Sequence, residues 1–475
     1  MTVLIYIYFS WTLLLTIVVQ GQEKKSAFQH ELFWKITRPN TITWNLASEK
    51  RLPHQDNIEM GGQLVSAILH YEVDNQKQVH ISRSVLFPQL RRFIKSTDPD
   101  YAKYRAYLRD EYEDDMLPVI SLGDKTYVPG NLDSVSINGK ITFFHHQRDE
   151  LQVTRTFLPA MTARLFIEKW TITNTGDTIK NLKIGHTEFQ QTETGLNGLY
   201  RRKVFCDAKP EVTILPHATY EFAVYFSASL NKEPPVTQTY TQVEKQRNDF
   251  IDSVRRNLVL ESPDTLLNTL FYFSKIRAAE SIFQTKMGLV HSPGGGNYYT
   301  GVWANDQAEY SGPFFPYLGY KTGNEAAMNA YRMFLRNIPK AGEKIWASFE
   351  MDGDLPCCSK DRGDAAMIAF GASHFLLASG NKSYATELLP LLEWCLAWCE
   401  KNKIPEGVIA SASDELEGRF PTGTANLSTS CLYYGALKQM ANLATAMGKN
   451  KILVQDYQKR ATLLKTAIEN YFGAE

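Results

Sequence analysis

Pro263-Asp264-Thr265-Leu266-Leu267-Asn268-Thr269-Leu270-Phe271 is where the period of the chain changes. Asp264-Thr265-Leu266-Leu267 opens a helix whose apolar positions recur at Leu267, Leu270, Phe271 and Ile276, and then at Ile282 and Phe283. Downstream, helical stretches over about 306–320, 323–337, 362–379, 383–402, 425–447 and 451–472 alternate with Gly- and Pro-rich loops. Upstream the period is two. Leu151-Gln152-Val153-Thr154-Arg155-Thr156-Phe157 and Leu165-Phe166-Ile167-Glu168-Lys169-Trp170-Thr171-Ile172 alternate apolar with polar, and Asn138-Gly139 marks a hairpin. The span 231–262 holds Pro234-Pro235 and polar residues and reads as a linker, with one connecting helix from Gln242 to Arg256. The expected fold class is therefore β then α: an antiparallel β-sandwich over 22–230, a linker over 231–262 and an array of paired helices over 263–475.

The composition is globular. Of 475 residues 44% are hydrophobic and 21% charged, far from a disordered profile. Lys plus Arg and Asp plus Glu are 51 each, so the chain lacks the basic footprint of a nucleic-acid binder. Residues 2–19 are apolar, and Val19-Gln20-Gly21 offers a small-residue cut before Gln22, so residues 1–21 read as a signal peptide. The n-region has no Lys or Arg, and an uncleaved anchor is the competing reading, since ~18 apolar residues just span a bilayer. Cleavage implies a secreted or periplasmic protein that keeps no membrane contact. Cys395 and Cys399 stand four apart, on one helix face, without neighbouring His ligands; they read as core thiols, and no metal and no cofactor are expected.

Three loops at helix boundaries carry the chemistry-bearing residues, and the sandwich half shows no convergent cluster. The first loop runs from His291 through Gly294-Gly295-Gly296 and Tyr299 to Trp303, Asp306 and Glu309. An aromatic plane beside carboxylates suits a sugar, which stacks its ring and donates its hydroxyls; Asp306 and Glu309, three apart, are expected on one face of a starting helix, where helix-dipole pairing is the plainer role. The second holds Glu350, Asp352, Asp354, Asp361 and Asp364; its spacing is not that of an EF-hand, and Asp361 reads as an N-cap with Asp364 its partner, or as a substrate contact. The third is Ser413-Asp414-Glu415-Leu416-Glu417. Three clustered carboxylates raise the pKa of at least one, as a protonated general acid requires, although a solvated acidic turn has the same composition.

A β-sandwich followed by paired helices resembles the six-hairpin (α/α)6 glycosidase superfamily, which includes bacterial glucoamylases, glycogen-debranching amylo-glucosidases and maltose and kojibiose phosphorylases. Ser413-Asp414-Glu415-Leu416, followed by Ala425-Asn426-Leu427-Ser428-Thr429, is similar to the phosphorylases' Asp-Glu-Tyr motif and the helix start after it, with Leu416 in place of Tyr. The resemblance implies Glu415 as general acid, with Glu417 as the alternative. Val302-Trp303-Ala304-Asn305-Asp306 is similar to the Trp–Asp segment lining the superfamily's sugar subsite, which implies substrate contacts for Trp303 and Asp306, with Tyr299, Glu309, Asp361 and Asp364 around them. It also implies an N-terminal β-supersandwich and an (α/α)6 toroid of which this sequence carries about seven helices, so the closing helices and the general base are expected beyond residue 475.

The expected function is a secreted glycoside hydrolase, inverting, acting on a carbohydrate substrate. The alternatives are a sugar phosphorylase of the same fold, which the export signal disfavours, and a noncatalytic carbohydrate-binding protein. A polysaccharide lyase would place its helices first and use Tyr, His and Arg at the site. The sugar, the linkage and the oligomeric state are not legible in the sequence.

Overall fold

The computed structural model describes residues 33–47, 49–95, 97, 102–292, 300–340, 343–353, 356–360, 363–411 and 423–473. The signal-peptide reading of residues 1–21 lies outside them. No helix of the described residues is long and apolar enough to cross a membrane.

The first half is a sandwich of antiparallel sheets. A nine-stranded sheet runs in the spatial order Trp34–Arg38, Thr41–Asn45, Leu132–Ile137, Ile141–His145, Leu151–Pro159, Leu165–Asn174, Thr219–Leu230, Gly198–Cys206 and Glu188–Gly195. Against it lie two four-stranded sheets. One is the meander His54–Gly61, Ser66–Val73, Val79–Arg91 and Tyr107–Tyr112; the other runs Glu211–Ile214, Lys180–Ile184, Ile120–Leu122 and Lys125–Tyr127. The alternation in the sequence does the sorting. In Leu151–Phe157 the buried positions alternate, Leu151, Val153, Arg155 and Phe157, while Thr154 and Thr156 between them are half-buried; Leu158 and Pro159 at the strand's end are buried too. Phe157, Phe166 and Phe226 meet Val85, Phe87, Leu108 and Tyr112 across one continuous core. At the hairpin, Ile137 pairs with Ile141 and Gly139 takes φ 98°, which favours glycine.

The nine-stranded sheet's outer face is also covered. Helix α1 (Tyr240–Arg256) packs Val243 onto Leu158, Leu165, Ile167 and Tyr225. Its start is fixed by a capping box, in which Thr239 Oγ1 accepts from the Gln242 amide and the Gln242 side chain accepts from the Thr239 amide. Arg247, fully buried, donates from Nε and Nη2 to the Gly139 carbonyl at 3.0 and 2.7 Å and from Nη1 to the Gly61 carbonyl, and pairs with Glu280. Glu280 closes α2 (Thr265–Glu280), the helix opened by Asp264, whose carboxylate caps the amides of Leu266 and Leu267. One guanidinium thus ties two strands' turns to two helices.

The second half is a set of helical hairpins: α3 (Gly312–Leu318) with α4 (Lys321–Arg336), α5 (Asp364–Ser379) with α6 (Lys382–Lys401), and α7 (Leu427–Ala446) with α8 (Lys451–Phe472). These bounds follow the sequence reading to within a few residues. A closed toroid is not formed by the described residues; they make three hairpins with α5 between α3 and α7. Helix α5 is apolar nearly all round, as its neighbours α3, α6 and α7 require. Cys395 and Cys399 are free thiols buried on one side of α6, as core residues. The helical half also contains strands that its period did not announce, a hairpin Ile282–Thr285/Gly288–His291 and a three-stranded sheet of Gly301–Trp303, Trp346–Glu350 and Pro356–Lys360.

Candidate active site

The helices α3, α5 and α7 run parallel. A Cβ on Gly363 would meet Thr429, while further along Gly435 abuts Phe370, so the order of residues matches between α5 and α7. Ala308 lies against Gly371, and the Tyr317 hydroxyl is 2.9 Å from His374 Nε2, so the segment ending in α3 runs the same way beside α5. The described residues that lead into these segments, Trp303–Asn305, Gly363 and 423–426, therefore lie at one end of the bundle. Asp306, Asp364 and Asn426 stand at the starts of three adjacent helical segments. Glu415, Glu417, Tyr299 and Asp361 lie outside the described residues; the described parts of their loops lead to this same end.

Trp303 ends the strand Gly301–Trp303 and is half-buried. Its ring lies 5.6 Å from that of Tyr104, which belongs to the short helical turn Ala102–Arg105 of the sandwich half. The Tyr104 hydroxyl bonds the Ser348 hydroxyl, and Ser348 is paired with Trp303 across the sheet. Arg91, from the end of strand Val79–Arg91, donates to Thr300 Oγ1 at 2.9 Å and lies 3.6 Å from Glu350. The sandwich thus supplies part of the wall beside Trp303, a contribution that nothing local in the Tyr104 or Arg91 sequence announces.

Asp306 and Glu309 do not share a face. Asp306–Ser311 is a π-helical turn, in which Asp306 is half-buried and Glu309 exposed. The cause lies in the residues that follow. Pro313 and Pro316 have no N–H to give an α-helical ladder, and the Gly312 amide bonds the Gln307 carbonyl five residues back. The Tyr331 hydroxyl also donates to that carbonyl, and a Cβ on Gly312 would lie 2.3 Å from its oxygen. Such π-turns often accompany functional sites. Within it, Tyr310 is exposed, its phenol pKa raised chiefly by the Glu309 carboxylate, then by burial, then by Asp306.

The second helix start also differs from expectation. The N-cap of α5 is Gly363, at φ 96°, and not Asp361; Asp364 is the first helical residue and is buried. A carboxylate in the first turn is favoured by the helix dipole. At the third start Asn426 caps α7 by accepting from the Thr429 amide at 3.1 Å. The Thr429 hydroxyl and Asn305 Oδ1 are buried at this end without a hydrogen-bond partner among the described residues. His291, on the preceding strand, is held neutral by burial, its pKa pushed down to about 4. Among the described residues no group of His, Cys, Asp and Glu has metal-binding geometry.

No family model and no curated protein matches the chain. Among solved structures it is similar to a bacterial glucoamylase complexed with acarbose, at TM-score 0.47 and 11% identity, covering 89% of this chain and 69% of that one. It is similar to a rhamnosidase from Klebsiella oxytoca with rhamnose bound, at TM-score 0.39 and 9% identity, covering 88% of this chain and 71% of that one. A rhamnosidase of a Bacillus species follows at TM-score 0.39 and 13% identity, covering 70% of this chain and 33% of that one. Likeness at this level assigns no role to any residue.

What the geometry offers chemically is a helix-bundle end with an aromatic pair, two acidic helix starts and buried polar atoms that lack partners. That combination suits an uncharged ligand rich in hydroxyls, bound by stacking and by hydrogen bonds to carboxylates.

Proposed function

We propose that the protein is a glycoside hydrolase cleaving O-glycosidic bonds of an oligo- or polysaccharide at the end of the bundle where α3, α5 and α7 begin. The observation that supports this reading is that the starts of the segment Asp306–Ser311, α5 and α7, with Asp306, Asp364 and Asn426, stand at one end, next to the Trp303–Tyr104 pair. In this reading Trp303 stacks on a sugar ring, and Asp306 and Asp364 accept hydrogen bonds from its hydroxyls. Tyr299, Glu309 and Asp361 stand in the same loops as further contacts. Glu415, or else Glu417, protonates the leaving glycosidic oxygen; crowding by neighbouring carboxylates holds one of them protonated near neutral pH. Inversion follows if water attacks from the opposite face, which needs a second carboxyl ~6.5–9.5 Å from the acid. An exported location completes the proposal and rests on residues 1–21 alone.

The test is release of reducing ends from a panel of α-linked oligosaccharides, paired with binding read by tryptophan fluorescence. Glu415→Gln is expected to retain binding and lose at least ~100-fold in turnover; Trp303→Ala is expected to weaken binding. Proton NMR of the first-formed anomer reads the stereochemistry. Full turnover in both Glu415→Gln and Glu417→Gln would remove the acid assignment, and an absence of both binding and hydrolysis across the panel would remove the function.

A further inference from the structure

Gln307, next to Asp306 in the π-turn, keeps a polar side chain at 0% exposure. The two ends of its amide serve two different segments. Nε2 donates to the His291 carbonyl at 3.3 Å, at the end of strand Gly288–His291, and Oε1 accepts from the Ser311 hydroxyl at 2.9 Å, at the end of the turn. A carbonyl only accepts, so the His291 oxygen fixes which way round the amide stands. The residue's own carbonyl takes the Gly312 amide and the Tyr331 hydroxyl. Backbone and side chain of Gln307 together hold that strand, the turn, and helices α3 and α4.

A neutral amide suits this place where other side chains of its size do not. Methionine would fill the space and leave the His291 carbonyl and the Ser311 hydroxyl without this partner. Glutamate would set an acceptor against a carbonyl and bring a charge to a position closed to water. A second rung stands nearby. The Ser292 hydroxyl, also at 0% exposure, donates to the Gly301 carbonyl at 3.0 Å and accepts from the Gly301 amide at 2.9 Å. The segment 301–307 is thus fastened at its two ends to neighbouring residues of one strand end, His291 and Ser292. Trp303 and Asp306 lie between the two rungs. Gln307 itself is closed to any ligand, so what it does for the site it does through those two residues.

We propose that Gln307 is a positioning residue for the sugar: its amide, together with the Ser292 rung, sets the spacing of Trp303, on which a ring stacks, and Asp306, which accepts hydroxyls. This inference rests on the glycosidase reading of the site. It adds to that reading what determines the fit of the sugar, as distinct from the acid that cleaves it.

Steady-state hydrolysis of the oligosaccharide panel by the whole protein tests it. Gln307→Met keeps the volume and removes both side-chain bonds. It is expected to raise KM about tenfold or more, with kcat falling less than about threefold, because the loosened contacts hold the sugar before and during reaction alike. A merely structural role would lower the fraction of active molecules, and so kcat, and leave KM where it is. Ser292→Ala, the milder change, should move KM the same way, and it decides the matter if Gln307→Met does not fold by thermal unfolding. Parent turnover with an unchanged KM in the folded variant overturns this inference alone. A parent that hydrolyses no member of the panel removes the glycosidase reading, and this inference with it.

Discussion

Gly363 shows what a single residue decides at the candidate site. Its φ of 96° is one that side chains rarely adopt, and a Cβ there would sit 2.6 Å from Thr429 Oγ1. Gly363→Ala should therefore lose about 1–3 kcal/mol of stability from backbone strain, more with the contact included. Adding Thr429→Ala should recover only the contact's share; a denaturation series showing full recovery would mean the backbone had not been strained. His145 makes a pH-dependent contribution. Burial first, and then the Arg155 charge, push its folded pKa down to about 4 from an ordinary 6.5. Between those values the unfolded chain binds the proton and the folded one does not, so the contribution is whole above pH 6.5 and is lost as pH falls toward 4. The window corresponds to about 3 kcal/mol. Urea unfolding across it should be flatter in His145→Phe by about that amount; an unchanged slope would show that another group titrates there.

At the scale of elements, the linker helix is a structural joint as well as a connection. Arg247 on α1 is bonded to turns of two sheets and paired with Glu280 at the end of α2. Removing one member of a buried pair costs ~3–5 kcal/mol. Arg277 also pairs with Glu280 and stays behind, which puts Arg247→Met at about 3 kcal/mol, the lower end of that range. Guanidinium-chloride unfolding should show it as an earlier transition, and a variant that unfolds with the parent would refute the joint. The π-turn Asp306–Ser311 is an element of the same kind: its proline and glycine are visible in the sequence, but the Tyr331 hydroxyl that holds the Gln307 carbonyl comes from α4.

For the molecule as a whole, the sandwich and the helices share the candidate site. Tyr104 and Arg91 come from the first half, and Trp303, Ser348 and Glu350 from the second. Tyr104→Phe, which keeps the ring and removes the bond to Ser348, should lower stability by about 1 kcal/mol and leave oligosaccharide binding nearly intact. Tyr104→Leu should weaken that binding, read by fluorescence; equal binding by both variants would separate the sandwich from the site. Among the described residues of the last hairpin, Leu427 on α7 and Ile452 and Leu463 on α8 are exposed at 48%, 73% and 61%.

The sequence by itself determined the strands of the sandwich and the long helices. Period-two runs and helical runs are local, so the strand Leu165–Asn174 and the helices Lys382–Lys401 and Lys451–Phe472 stand where the patterns of apolar residues put them. The caps Asp264 and Asn426 lie next to the helices they start and are local in the same sense. Only the tertiary structure decided which residues meet. Tyr104 and Trp303 are about 200 positions apart, and so are Arg91 and Thr300, while Arg83, Asp114, Arg155 and Glu168 come from different strands and a short turn. No period reports on such pairs. The contact depends on how sheets and helices stack, and stacking is set by the burial of whole faces rather than by any neighbouring residue.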